Sequence, residues 1–239
     1  MTPGWVLLPG TLCTGAVFDP LMDSLGVPPS RRRVVLADAP HVADYAPRLR
    51  AAVAPGDIVC GFSLGALVAA HNLAALSRAK ALVLLAANPN PDRPGGRAAR
   101  EALRDRIRSG GAQDWVRERW AEMSTGGPDQ MARVVQMAVE TTALIDAQTE
   151  LGASRPGAVA DLRASPLPQI YITGAEDRMT PASRLEGLIA GRDRAWFALL
   201  PGRGHFALLE DPTAVADAIR RGLAATQATH LPERQNHDA

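Results

Sequence analysis

Ser63 is the residue whose neighbours most favour chemistry. It sits in the stretch D-I-V-C-G-F-S-L-G-A-L-V-A-A, residues 57–70, where an apolar run meets Gly61, Ser63 follows, then Gly65 and a row of good helix formers. That order predicts a strand, a sharp turn and a helix with the serine at the apex. Strained dihedrals are expected at the serine, and glycines on either side let strand and helix pass closely. The free N–H groups and positive dipole end of the helix would face any negative charge developing beside the hydroxyl. A serine is a poor nucleophile alone. It needs a base, and the base needs an orienting acid, arriving in chain order serine, acid, histidine at the ends of later strands.

Of the five histidines, His205 has that address, in the Gly-rich loop P-G-R-G-H-F after the last apolar run. His41 follows the second predicted strand, where it would line the entrance; His71 falls on a helix; His230 and His237 are in the tail. The acid is sought in T-G-A-E-D-R-M-T-P, where Asp177 and Glu176 compete. Asp177 is preferred because it lies past the strand end, opposite the expected histidine loop, which leaves Glu176 pointing to solvent. The oxyanion would be held by two backbone N–H groups, one from Leu64 and one from Thr11 in the loop P-G-T-L-C-T-G, with Leu12 as the fallback donor.

These residues need a scaffold that brings strand ends to one edge. Short apolar runs at 5–8, 33–37, 57–62, 80–87, 169–173 and 195–200 alternate with helical patterns, the signature of a parallel sheet buried on both faces. Right-handed crossovers make such a sheet doubly wound, an α/β fold. From residue 89 to 165 the rhythm changes to amphipathic helices, expected at 97–108, 114–123, 128–140 and 141–151 and read as an inserted lid. The core is then residues 1–88 and 166–239. After the fifth strand Thr180 is expected to cap a helix opened by Pro181 and closed before Gly191. The last helix is expected over 212–225, with a polar, frayed tail beyond it.

Composition narrows the rest. The chain has 239 residues, 46% hydrophobic, with a net charge of +1 spread along its length, so a buried core is expected and a nucleic-acid partner is not. The two cysteines, Cys13 and Cys60, have no metal-type spacing, and Cys60 reads as a small buried strand residue. The N-terminus lacks a basic segment followed by a long apolar core, and no run reaches the ~20 apolar residues of a membrane span. A cytoplasmic protein with no membrane partner is therefore expected. Without a metal cluster, phosphate loop or dinucleotide fingerprint, no cofactor and no metal are implied.

With strand–Ser63–helix, the Asp177 turn and the His205 loop in the required order, the chain resembles the α/β-hydrolase superfamily over about residues 5–225. The resemblance implies Ser63 as nucleophile, His205 as general base and then acid, and Asp177 as the group that fixes the imidazole tautomer. The family usually opens with two antiparallel strands; here Trp5 already belongs to what is normally the third, so a six-stranded, wholly parallel sheet is expected. The usual His-Gly of the oxyanion loop is Pro9-Gly10, and Ala66 replaces a frequent glycine. Dehalogenases and epoxide hydrolases of this fold use a carboxylate at the nucleophile position, which leaves acyl chemistry for Ser63.

The motif G-F-S-L-G is similar to that of small esterases acting on acyl-carrier-protein esters, so the implied partner is a small acyl substrate, free or bound to a carrier protein. Residues 89–120 hold eight arginines against five acids, read either as a carrier-gripping surface or as a solvated helix face. The implied activity is that of a serine hydrolase cleaving an ester or thioester. Its alternatives are acyl transfer, cyclisation or a lyase step at the same site, and a ligand-binding module on a hydrolase scaffold.

Overall fold

The computed structural model describes residues 3–228. Six strands, β1 (Trp5–Leu8), β2 (Arg32–Val34), β3 (Ile58–Phe62), β4 (Ala81–Leu85), β5 (Gln169–Gly174) and β6 (Ala195–Leu200), form one sheet in the order β2-β1-β3-β4-β5-β6, every pairing parallel. The continuous apolar runs follow from burial on both faces. Trp5, Leu7, Ile58, Cys60, Val83 and Ile170 face one core, and their neighbours Val6, Leu8, Val59, Leu82 and Tyr171 face the other.

Helices α1 (Asp19–Leu25), α2 (Tyr45–Ala52) and α3 (Leu64–Ala70) connect the first strands. Between β4 and β5 lie α4 (Gly96–Arg108), α5 (Ala112–Met123), α6 (Pro128–Glu140), α7 (Ile145–Ser154) and α8 (Val159–Ala164). The single turns α9 (Glu186–Ile189) and α10 (Ala207–Glu210) and the long α11 (Pro212–Ala228) complete the chain. Val215, Ala216 and Ile219 of α11 share a core with Leu21 and Met22 of α1, while α3 packs on the opposite face.

Several elements depart from the sequence pattern for local reasons. β2 stops at Val34 because the chain turns toward Tyr45, whose hydroxyl bonds both the N–H and the C=O of Ala39. The helix after Ser63 ends at Ala70: Asn72 closes it by donating to the Val68 and Val42 carbonyls, and Leu73–Leu76 continues as a 3-10 turn. The helix expected from residue 141 starts as the 3-10 turn Thr142–Leu144. α8 was not expected, because six residues after Pro156-Gly157 are too few to show a period. Residues 226–228 belong to α11 rather than to a tail; residues 229–239, with His230 and His237, lie outside the described residues.

The chain runs from β1 outward to β2 and then returns to β3 on the other side of β1. At such a reversal the loops at the carboxyl ends of the two strands part and leave a crevice. The β1 loop with Thr11 and the β3 turn with Ser63 flank that crevice.

Candidate active site

Ser63 joins β3 to α3 with φ 50° and ψ −113°, a left-handed conformation unusual for a residue with a side chain. Its amide donates to Leu85 O at 3.0 Å, and its carbonyl accepts the helical bond from Leu67. The glycines are steric requirements. A Cβ on Gly65 would lie 2.0 Å from the Leu8 carbonyl oxygen, and one on Gly61 would lie 2.5 Å from Ala66 Cα. Gly10 does the same service from the β1 side, since its Cβ would meet Ser63 Cβ at 3.1 Å.

His205 Nε2 lies 3.1 Å from Ser63 Oγ, and His205 Nδ1 lies 2.9 Å from Asp177 Oδ2. Both the imidazole and the carboxylate are buried. The other Asp177 oxygen accepts the amides of Met179 and Thr180, at 2.9 and 2.8 Å, and the Thr180 hydroxyl donates to Oδ2 at 2.6 Å. Burial alone would raise the Asp177 carboxyl, but the His205 charge and the bonds from His205 and Thr180 outweigh it and hold it below the ordinary carboxylate range. Thr180 is therefore not the cap of a following helix. Its hydroxyl is committed to Asp177, and the chain beyond it forms the 3-10 turn Ala182–Leu185. Glu176 is exposed, as expected.

Leu64, the first residue of α3, has an amide of the kind that a helix leaves without an intrahelical partner. Thr11 and Leu64 line one cavity with Ser63 and His205. Leu12 N–H is otherwise engaged: it donates to Gln148 Oε1 of α7 at 3.0 Å, which removes the fallback donor and ties the β1 loop to the inserted helices. The cavity, about 210 Å³, is walled mainly by apolar side chains, among them Leu103, Trp115, Val116 and Val134 from α4 to α6 and Phe206 beside the histidine. His41 is exposed and is not among the lining residues, because the chain turns away after β2. A serine hydroxyl bonded to an imidazole whose far nitrogen meets a buried carboxylate allows proton removal as the oxygen attacks a carbonyl.

The model of the alpha/beta hydrolase family matches residues 3–218. The chain belongs to the alpha/beta hydrolase family. Similar curated members of this family are the pimeloyl-[acyl-carrier protein] methyl ester esterases of Xanthomonas campestris pv. campestris (strain B100), 28% identical over 93% of this chain and 96% of the relative, and of Xanthomonas oryzae pv. oryzae (strain MAFF 311018), 27% identical over the same shares. Among solved hydrolase-fold structures, a thermophilic esterase from Thermogutta terrifontis superposes with a TM-score of 0.78 at 19% identity, covering 95% of this chain and 91% of that one. MenH from S. aureus superposes at 0.75 with 14% identity and 94% of each chain. No helix among the described residues of this hydrolase is long and apolar enough to cross a membrane.

The hydrolase-family loop that carries His205 is braced by a residue that the sequence pattern did not single out. Glu210 accepts from the Gly204 amide at 2.6 Å, from the Ser124 hydroxyl at 2.6 Å and from the Thr125 hydroxyl at 2.8 Å, while His205 N donates to Met123 O at 2.8 Å. One carboxylate thus fastens the histidine loop to the end of α5. The signal was present only as L-L-E-D-P after the histidine, indistinguishable from a helix-end acid. In the arginine-rich helices Arg97, Arg104, Arg106, Arg108, Arg117 and Arg119 each pair with a carboxylate at the surface.

Proposed function

We propose that this protein hydrolyses an ester or thioester through an acyl-enzyme on Ser63. The observation that carries the reading is the hydrogen-bonded chain from Ser63 Oγ through His205 to buried Asp177, opening onto a cavity with apolar walls. His205 Nε2 takes the Ser63 proton as Oγ attacks the carbonyl carbon. The Thr11 and Leu64 amides receive the developing oxyanion, a contribution of about 2.7–4 kcal/mol per donor in comparable sites. The imidazolium then protonates the leaving alkoxide or thiolate. Water, deprotonated by the same nitrogen, releases the acid and restores Ser63.

Asp177 stabilises the imidazolium and fixes the tautomer with the proton on Nδ1. Residues 89–165 act as a lid that supplies the apolar wall and excludes bulk water. An ester and thioester panel graded by acyl length, run on wild type and Ser63→Ala, tests this reading: wild type turns over at least one series and the variant none. Turnover by the variant at the wild-type rate would contradict it.

A carrier-bound acyl chain is the second reading, favoured by the carrier-protein esters named for the curated relatives. Most surface arginines of α4 and α5 are already paired, so recognition by long-range charge would be modest. A KM for a carrier-linked ester that falls sharply at low salt would support electrostatic capture, and a salt-independent KM would leave only the acyl chain as the recognised part.

A further inference from the structure

One part of the cavity wall is charged. Arg100 of α4 and Arg155, just after α7, line the same cavity as Ser63. Both reach Asp92. Arg100 Nε and Nη2 lie 3.2 Å from its two oxygens, and Arg155 Nη1 is 3.4 Å from Oδ1. Among the described residues Asp92 is the one carboxylate within ion-pair distance of either guanidinium.

The charge count does not close. Burial acts to raise the Asp92 carboxyl, but bonds and charge from Arg100 and Arg155 hold it below its ordinary value, so it is ionised at neutral pH. Arg155, whose side chain is 4% exposed, is pushed down to about 10 by burial and by the neighbouring Arg100, with Asp92 opposing; it too remains charged. Two positive groups and one negative group leave one positive charge in a largely apolar wall. The surface arginines nearby differ, since Arg97, Arg106 and Arg108 each have a carboxylate of their own instead of sharing one. The two guanidinium groups share the single Asp92 carboxylate, so the partly exposed Arg100 at the cavity wall is short of a full counter-charge, which an anion could complete.

The two arginines are not equivalent. Arg155 spends Nε on the Asn90 carbonyl and Nη1 on the Gly152 carbonyl, so it mainly supplies field. Arg100 is 32% exposed and fills the space that Gly152 leaves, where a Cβ would lie 2.6 Å from its Nη1. Its Nε–Nη2 edge is held by Asp92, which leaves the Nη1 end to meet a second oxyanion.

We propose that Arg100, backed by Arg155, binds an anionic group on the substrate, a carboxylate or a phosphate, while the ester of the same molecule lies at Ser63. The substrate class is then an amphipathic ester: a reacting carbonyl, an apolar stretch along Leu103, Trp115 and Val116, and an anionic group at the arginines. The placement of the ester rests on the proposed Ser63 chemistry; the anion site does not.

The test is binding, not turnover, so it survives a failure of the hydrolase reading. Calorimetry on Ser63→Ala would measure adipate, 4′-phosphopantetheine and the uncharged dimethyl adipate, each with and without a second substitution. Arg100→Gln is expected to weaken at least one anion about tenfold or more relative to the diester, the size of one lost charge-assisted hydrogen bond. Asp92→Asn is expected to tighten the same anion, because it removes the competing carboxylate. Dependence of adipate on Arg100 identifies a carboxylate on the acyl chain, and dependence of phosphopantetheine identifies a carrier arm. If the arginines only hold α4 to α7, both substitutions weaken anions and diester alike. That result, or no Arg100-dependent binding of either anion, overturns the proposal. Should Arg100→Gln not fold, Arg100→Lys retains the charge without the planar fork, and a selective loss of anion affinity reads the same way.

Discussion

The Thr180 hydroxyl meets Asp177 Oδ2 at 2.6 Å, the same oxygen that faces His205 Nδ1 at 2.9 Å. One carboxylate oxygen therefore serves two donors, and the threonine fixes the direction from which Asp177 addresses the imidazole. Thr180→Val keeps the shape and removes the donor. It is expected to lower kcat about tenfold with little change in KM, as loss of about 1.4 kcal/mol of transition-state stabilisation would. Thr180→Ser should restore most of it, whereas equal losses in both variants would mean that packing, not the hydroxyl, matters.

Asp177 also links stability to pH. Its carboxyl is lower in the folded protein than its ordinary value of 3.8, so it contributes stability above that value and loses it as pH falls through the folded one. Urea unfolding from about pH 6 down to about pH 3 should show a steeper acid loss for wild type than for Asp177→Asn. Parallel curves would contradict the shift.

Gly65 faces the Leu8 carbonyl so closely that a methyl group cannot enter without backbone movement. Gly65→Ala is expected to cost at least about 1–3 kcal/mol by overpacking and to remove activity through displacement of Ser63. Its urea midpoint checks the first part and an ester assay the second.

Much of this site was legible because it is local. The Ser63 turn is specified by Gly61 and Gly65 within five consecutive residues, and Asp177 and His205 follow β5 and β6, whose apolar runs were plain. What escaped depends on partners far along the chain. The Thr180 hydroxyl reads as a helix cap until Asp177 captures it; Glu210 reads as a helix-end acid until Ser124, Thr125 and Gly204 converge on it. Arg97 and Arg108 look like free surface charge until Glu150 and Asp146 of α7 fold against them. Side-chain pairing across the inserted helices has no period to read.

Gln148 is such a partner, accepting the Leu12 amide at 3.0 Å inside the protein. Gln148→Ala would leave that N–H buried and unpaired, a cost of about 1–3 kcal/mol, and would loosen the loop carrying Thr11. Lower stability together with a reduced kcat is the expected result; wild-type values for both would show that the tie is dispensable.

The cysteines offer a check on packing. Both are buried, and burial pushes the Cys13 thiol up to about 12 and the Cys60 thiol higher still. Neither should react with a thiol reagent at neutral pH in the folded state, and both should react in denaturant. Rapid labelling of Cys13 in the native protein would contradict the burial of the β1 loop.

The acyl-enzyme is tested most directly by the mass of the intact protein after treatment with a fluorophosphonate. Wild type should gain one adduct, mapped by peptide fragmentation to Ser63, and Ser63→Ala should gain none. An adduct that persists in Ser63→Ala would contradict the assignment of Ser63 as the nucleophile.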